Sequence, residues 1–239
     1  MRIPEANPLT ETNVRSDNRP MSSLRASRLR AAKATLPPSS VPDGTRRRIL
    51  EVALQLFANE GFHGTSVRDV AKALDLQPSA LYAHFPSKDH VLAELVRVGH
   101  EVHASGLRAA LAGACDDPID QICALVRAHT LVHACYPHLA VVVNEEIYAL
   151  TADLAAPALA IRAQSMALLH GVLERGVAMG RFSVPDKAAT AAALSAIGVR
   201  IPYWYEPTEA LSLDALADVH VELSLRMLRA YRSPDGRRA

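Results

Sequence analysis

The sequence has few cysteines and no paired ones. Cys115, Cys123 and Cys135 form no CxxC spacing, and their odd number in a chain of 239 residues argues against a disulfide framework, so they read as reduced thiols engaged in packing. No uninterrupted apolar run reaches the ~18 residues a membrane span needs, and the first residues lack the apolar stretch of a signal peptide. No membrane partner and a cytoplasmic location are therefore expected. Alternating strand patterns, internal repeats, nucleophile motifs, phosphate loops and metal-ligand signatures are also missing. An enzyme is not expected, and no cofactor, metal or catalytic residue is assigned. What is present is a chain 49% hydrophobic by composition, large enough for more than one folded unit.

Its organising stretch is TSVRDVAKALDLQPSALYAHFPSKD, from Thr65 to Asp89. Val67, Val70, Ala71 and Leu74 share one helical face, and Leu81 and Phe85 lie one turn apart on a second short helix spanning roughly Pro78 to His84. Ser66 with Asp69 three residues on makes a capping-box-like start, Pro78 suits a first helical position, and Leu74-Asp75-Leu76 joins the two. This is a helix-turn-helix pattern, in which the second helix enters the major groove of DNA. Upstream, Ile49, Ala53, Leu56 and Phe57 repeat at helical spacing, with Thr45 as the expected N-cap and Gly61 as the stop, which supplies a third helix to the same core. Arg46, Arg47 and Arg48 in its first turn oppose the positive end of the helix dipole, a conflict that a nearby phosphate relieves.

Charge is divided unevenly. Residues 1–90 carry 13 Lys/Arg against 9 Asp/Glu, and residues 91–239 carry 13 against 16, so the basic excess lies with the helix-turn-helix. Residues 1–44 hold six prolines and no sustained apolar period, and read as a flexible basic arm, with a short helix from Ser23 to Ala34 as one option. Arg25, Arg28, Arg30 and Lys33 in it either follow DNA phosphates or belong to a solvated tail.

The run RRRILEVALQLFANEGFHGTSVRDVAKALDLQPSALYAHFPSKDHVLAEL resembles the N-terminal domain of the TetR family of bacterial transcriptional regulators. The likeness includes the Phe-x-x-x-Gly-Phe-x-x-Thr-Ser-Val segment, the Ala-Leu-Tyr-x-His-Phe of the recognition helix and the Ser-Lys-Asp that opens the next helix. Pro78 stands where a non-proline is more usual, and the arm is longer than typical. The resemblance implies that Tyr82 and His84 meet phosphates, and Thr65, Ser66 and Lys88 place donors where phosphates dock. Base reading is expected of Gln77, Ser79 and Ala80, with Arg68 a further candidate. The competing reading of each is ordinary solvation.

Beyond Asp89 the sequence reads as helical throughout. A long fourth helix runs to about Ala112, and others begin at Asp117-Pro118, after Tyr136-Pro137, at Pro157, at Pro185-Asp186 and at Ser212, the last running through Tyr231. The expected fold class is all-α. Residues 45–90 form a three-helix helix-turn-helix domain, residues 91–232 a ligand-binding and dimerisation domain, and residues 233–239 a tail. Ala189, Ala193 and Ile197 on one late helix, with Leu216, Val219, Leu223 and Met227 on the next, leave apolar surface for a second copy. By resemblance these helices form a four-helix interface in a homodimer that binds a palindromic double-stranded DNA operator. A monomer with a purely internal core is the alternative.

His129 and His133, an i, i+4 pair, share a helix face and with Cys123, His138 or Glu145 offer zinc ligands in principle, but chance pairing is the preferred account. Asn144, Glu145 and Glu146 read as a pocket rim or buried network. The Trp-Tyr-x-Pro run at Trp204 resembles a subgroup of the same regulators, several of which answer to acyl-CoA thioesters. That likeness leads to an expected small-molecule effector pocket of Val142, Val143, Glu146, Ile147, Met166, Leu169, Trp204 and Tyr205, with Arg162 or Arg200 meeting an anionic group. Trp204 plugging a gap between the last two helices is the structural alternative. The expected function is a DNA-binding regulator, a repressor released by a small hydrophobic or acyl-thioester ligand. The competing readings are a helical ligand-binding or scaffold protein without operator binding and, more weakly, an enzyme.

Overall fold

The computed structural model describes residue 29, residues 32–38 and residues 40–230. Among these every regular element is helical. The helices are α1 Thr45–Glu60, α2 Val67–Ala73, α3 Pro78–Tyr82, α4 Lys88–Gly113, α5 Pro118–Cys135, α6 Pro137–Glu145, α7 Ala152–Ala178, α8 Lys187–Val199 and α9 Leu213–Met227. Short 3₁₀ turns follow α6 at Glu146–Ala149 and α8 at Ile201–Tyr203.

The first three helices close around side chains that the 3.6-residue period places inward. Ile49, Leu50, Ala53, Leu54 and Phe57 of α1 meet Val70 and Ala71 of α2, Leu81 of α3 and Phe85 after it, all buried. Each such large apolar side chain contributes roughly 1.5–3 kcal/mol on burial. Phe57 and Phe62 meet edge to face with centroids 5.4 Å apart. Gly61 ends α1 at φ 78°, a left-handed conformation open to glycine, with its N–H on the Phe57 carbonyl.

Several boundaries differ from the sequence reading. Thr45 is the first helical residue, and the cap is Gly44, which offers no side-chain acceptor. The recognition helix ends at Tyr82 rather than His84. α7 begins at Ala152, five residues before Pro157, so the proline lies inside the second turn and forgoes one ladder bond there. α9 ends at Met227, and Tyr231 lies outside the described residues.

The arm is the larger correction. Leu29, Ala34, Leu36 and Val41 are buried, so the part of residues 1–44 next to α1 is packed rather than free. Arg47 anchors it, donating to the carbonyls of Leu36 at 2.7 Å and Val41 at 2.9 Å while its Nε meets Glu51 at 3.1 Å. Gln55 accepts from the Ala34 amide at 2.7 Å and donates to the Leu29 carbonyl at 3.1 Å. Arg25, Arg28, Arg30 and most of the expected Ser23–Ala34 helix lie outside the described residues, and Lys33 is exposed.

α4 leaves the helix-turn-helix and runs on into the second domain, where it packs against α5, α6 and α7. Gly99 permits a close approach to α6, since a Cβ there would sit 2.3 Å from Val143 Cγ2. α6 in turn lies on α1 and shares the first core through Leu139, Val142 and Val143, so the two domains are joined by packing as well as by the chain. A second core between α5, α7, α8 and the end of α9 holds Ile119, Ile122, Leu173 and Leu194.

Candidate nucleic-acid interface and effector cavity

The start of α2 carries the capping box foreseen in the sequence. Ser66 Oγ accepts from the Asp69 amide at 3.2 Å, and the Asp69 carboxylate accepts from the Ser66 amide at 2.8 Å and hydroxyl at 2.6 Å. Those bonds, with lesser help from Lys72, hold the exposed Asp69 carboxyl below its ordinary range. In the turn, Asp75 adopts φ 56°, a left-handed conformation that a short polar residue tolerates. α3 then begins with Gln77 as N-cap and Pro78 at its first position. Gln77, Ser79, Tyr82 and His84 are exposed, Pro78 and Ala80 half-buried, and Arg68 and Ser66 exposed on α2 and its cap. Tyr82 is 55% exposed, which is unusual for an aromatic residue on a packed domain and leaves its ring and hydroxyl to a partner.

Four of the expected DNA contacts are engaged inside the protein instead. Lys88 Nζ donates to the carbonyls of Phe62 and Thr65, each at 2.7 Å, and lies over the Phe62 ring at 4.0 Å. Thr65 is buried, with its hydroxyl on the Gly61 carbonyl at 3.0 Å. Arg47 is committed to the packed arm. Arg46 stacks over Phe85 at 4.1 Å, donates to the His84 carbonyl at 2.9 Å and meets Glu94 at 3.4 Å, so it fastens α1 to α3 and α4. Arg48 remains exposed.

A cavity of about 110 Å³ lies between α4, α5, α6, α7 and α8. Its walls are mostly apolar, with Val143, Met166, Leu169, Leu107, Leu125 and Leu194, and Arg162 stands at its edge. Val143, Arg162, Met166 and Leu169 are thus where the sequence reading placed them. Val142 and Ile147 are buried in the first core, on the far side of α6. Glu146 approaches Gly61, its Oε1 3.7 Å from where a Cβ would stand. Arg200 covers the Tyr203 ring at 4.2 Å, and Tyr205 packs in a separate cluster with Ile201 and Leu216. Trp204 does not line the cavity; it is 47% exposed, with its ring edge to face against those of Tyr205 and His220 of α9. The helical pattern fixes a face for each residue, but which neighbour that face meets is a tertiary fact.

Histidines dominate the polar part of the wall. His100 and His103 come from α4, His129 and His133 from α5. Burial pushes all four down, reinforced for His100 by Arg162 and His133 and for His103 by His133 and His100. His100 titrates at about 4 and His103 at about 3, while His129 lies well below its ordinary value and His133 lower than usual. All four are therefore neutral near pH 7. His133 Nδ1 donates to the His129 carbonyl at 2.8 Å, and His129 Nε2 donates to the Ser195 carbonyl at 3.0 Å. His129 Nδ1 is then an acceptor, and His103 Nε2 donates to it at 2.8 Å. His100 Nε2 is buried without a hydrogen-bond partner. The sequence reading found the His129 and His133 pair but tried Cys123, His138 and Glu145 as companions; the companion is His103, on another helix.

Of the residues assigned to dimerisation, Ala189 and Ala193 of α8 and Val219, Leu223 and Met227 of α9 are exposed, and Ile197 is half-buried. Leu216 is not available, being 1% exposed in the protein's own core.

Comparison with known proteins agrees with this architecture. Residues 49–95 match the bacterial regulatory proteins of the tetR family, and residues 115–228 match the tetracyclin repressor-like C-terminal domain. The transcriptional repressor KstR2 of Rhodococcus jostii (strain RHA1) is 29% identical over 208 residues, covering 80% of this chain and 96% of that protein. A tetR-family regulatory protein from Rhodococcus RHA1 superposes with a TM-score of 0.73 at 27% identity, over 80% of this chain and all of that one. AibR in complex with isovaleryl coenzyme A and operator DNA shares the fold, with a TM-score of 0.69 at 20% identity over 78% of this chain and 99% of that one. Such relatives are transcriptional regulators rather than enzymes, and among the described residues no helix is long and apolar enough to cross a membrane. A helix-turn-helix with an exposed recognition helix, joined by one continuous helix to a domain enclosing a cavity, agrees with both matches: the chain belongs to the TetR family of DNA-binding transcriptional regulators.

Proposed function

We propose that the protein is a homodimeric repressor that leaves a palindromic operator when a small, largely apolar ligand with an anionic or thioester end enters the cavity. The observation that carries this reading is the position of α4, which begins beside the recognition helix and forms a wall of the cavity through Gly99, His100, His103 and Leu107. A ligand that favours one setting of α4 shifts the equilibrium between operator-bound and free forms by its differential affinity for the two. Leucine and valine side chains in the wall suit an acyl chain, and Arg162 at the edge suits a carboxylate, thioester or phosphate beyond it. At about 110 Å³ the cavity fits a short acyl group with any larger carrier outside. The complex of AibR with isovaleryl coenzyme A and operator DNA supports the class of ligand by analogy of fold.

In this reading Gln77, Ser79 and Ala80 read bases, with Arg68 beside them, while Tyr82, His84, Ser66 and Arg48 meet phosphates. The dimer forms through α8 and α9, where Val219, Leu223 and Met227 make an exposed stripe at i, i+4 and i+8 next to Trp204. The test is to titrate acyl-CoA thioesters of increasing chain length, with the free acids, into the protein–operator complex while following DNA release. Release by short or branched acyl-CoA is expected, with affinity lowered 5- to 150-fold, the usual range of ~1–3 kcal/mol of coupling. Retention of DNA across the whole panel sinks the acyl-thioester assignment.

A further inference from the structure

From the placement of three imidazoles in the cavity wall, we infer that His103, His129 and His133 form a binding site for a divalent transition-metal ion of the zinc class, with its fourth coordination position open to the cavity. The three candidate ligand atoms lie within 4.8 Å of one another. Metal-binding histidines characteristically donate their other ring N–H to a carbonyl or carboxylate, which fixes the tautomer and aims the lone pair. Two of the three already do. His133 gives Nδ1–H to the His129 carbonyl, leaving Nε2 as the ligand, and His129 gives Nε2–H to the Ser195 carbonyl, leaving Nδ1. His129 is further held by the bare α-carbon of Gly198, where a Cβ would come within 2.2 Å of Nε2.

His103 completes the set. Its Nε2–H now points at His129 Nδ1, so the two nitrogens occupy neighbouring corners of a coordination polyhedron with a proton where a metal would bind both. Binding moves that proton to His103 Nδ1 within a neutral ring, and no net proton is released. Two imidazole nitrogens about 2.1 Å from one tetrahedral ion are about 3.4 Å apart, so the 2.8 Å separation must widen by roughly 0.6 Å. His103 is the ring with freedom to retreat, since His129 and His133 are each tied to a backbone carbonyl. His100, whose Nε2 is buried and unpartnered, lines the same cavity.

This site stands on the histidine geometry and does not depend on the acyl-thioester reading. Metal-free full-length protein is titrated with Co2+ while visible absorption is followed, and with Zn2+ in a calorimeter, in the absence of DNA. The expected result is one ion per chain, tetrahedral d–d bands and a higher melting temperature with Zn2+. His103→Asn on α4 and His133→Asn on α5 should each weaken binding by about 100-fold or more, while the exposed His63→Asn leaves it unchanged. Helical circular dichroism establishes that each variant is folded, and the intact protein carries the test if one is not. Absence of tetrahedral Co2+ bands and of Zn2+ stabilisation in the intact protein overturns the site. So does metal affinity equal to the parent's in both folded histidine variants.

Discussion

Lys88 donates to two backbone carbonyls in the loop before α2, and those carbonyls lose their donor if it is removed. Lys88→Ala should therefore lower the stability of the DNA-free protein by about 1–3 kcal/mol, read as a drop in melting temperature. An unchanged melting temperature would restore Lys88 to a purely phosphate-binding role. Gln77 and Tyr82 should separate in the opposite way, since neither supports the fold. Gln77→Ala should cost ~1–3 kcal/mol at one operator position and relax preference there. Tyr82→Phe should weaken binding to all sequences alike. Selection of bound sequences from random DNA distinguishes the two. Exposure on α3 could be read from its apolar period, because Leu81 and Phe85 define the inner face. The engagement of Lys88 could not, because Phe62 and Lys88 are 26 residues apart and a lysine looks the same in a sequence whether it faces phosphate or carbonyl.

Turn and arm geometry carry the predictions at the level of elements. Asp75→Gly should leave stability unchanged or raise it, whereas Asp75→Val, forced into φ 56°, should cost about 1–2 kcal/mol in denaturant unfolding. Equal stability of the two variants would show that the turn has another conformation open to it. Arg47→Ala should release the segment that holds Leu36 and Val41, giving faster proteolytic cleavage in residues 32–44 while α1 persists. The elements themselves were largely legible because α2, α4, α5, α8 and α9 each have a capping side chain, from Ser66, Ser87, Asp117, Asp186 and Ser212. The packed arm was not, since Leu29, Ala34, Leu36 and Val41 follow no period and are held by hydrogen bonds from α1. The cavity was half legible. Val143, Met166 and Leu169 fell on apolar faces, but pairing His103 with His129 required knowing that α4 lies beside α5.

The exposed stripe of α9 and the buried histidines bear on the molecule as a whole. Leu223→Arg places a charge in the proposed interface while leaving the internal core intact, so sedimentation should show monomer and operator affinity should collapse. Acid should destabilise the folded state early. His138 and His220 titrate below their ordinary value in the folded protein through burial, as does His100, so the unfolded chain takes up protons first. Stability from this source is complete above pH 6.5 and falls as pH drops through 6.5 towards the folded values, about 4 for His100. Denaturant midpoints that stay flat between pH 7 and 5 would contradict it. α4 also has a mechanical reach. Lys88 and His103 are fifteen residues apart on that one helix, about 22 Å at 1.5 Å per residue, so the helix is a lever with its load at the DNA end and its short arm in the cavity. In the proposed dimer, a tilt of about 5° at the cavity would swing the far end by about 2 Å, and opposite swings in the two copies would change the spacing of their recognition helices by about 4 Å. Measured against successive major grooves about 34 Å apart, a displacement no larger than one water molecule at each end would move both heads of the proposed dimer away from register.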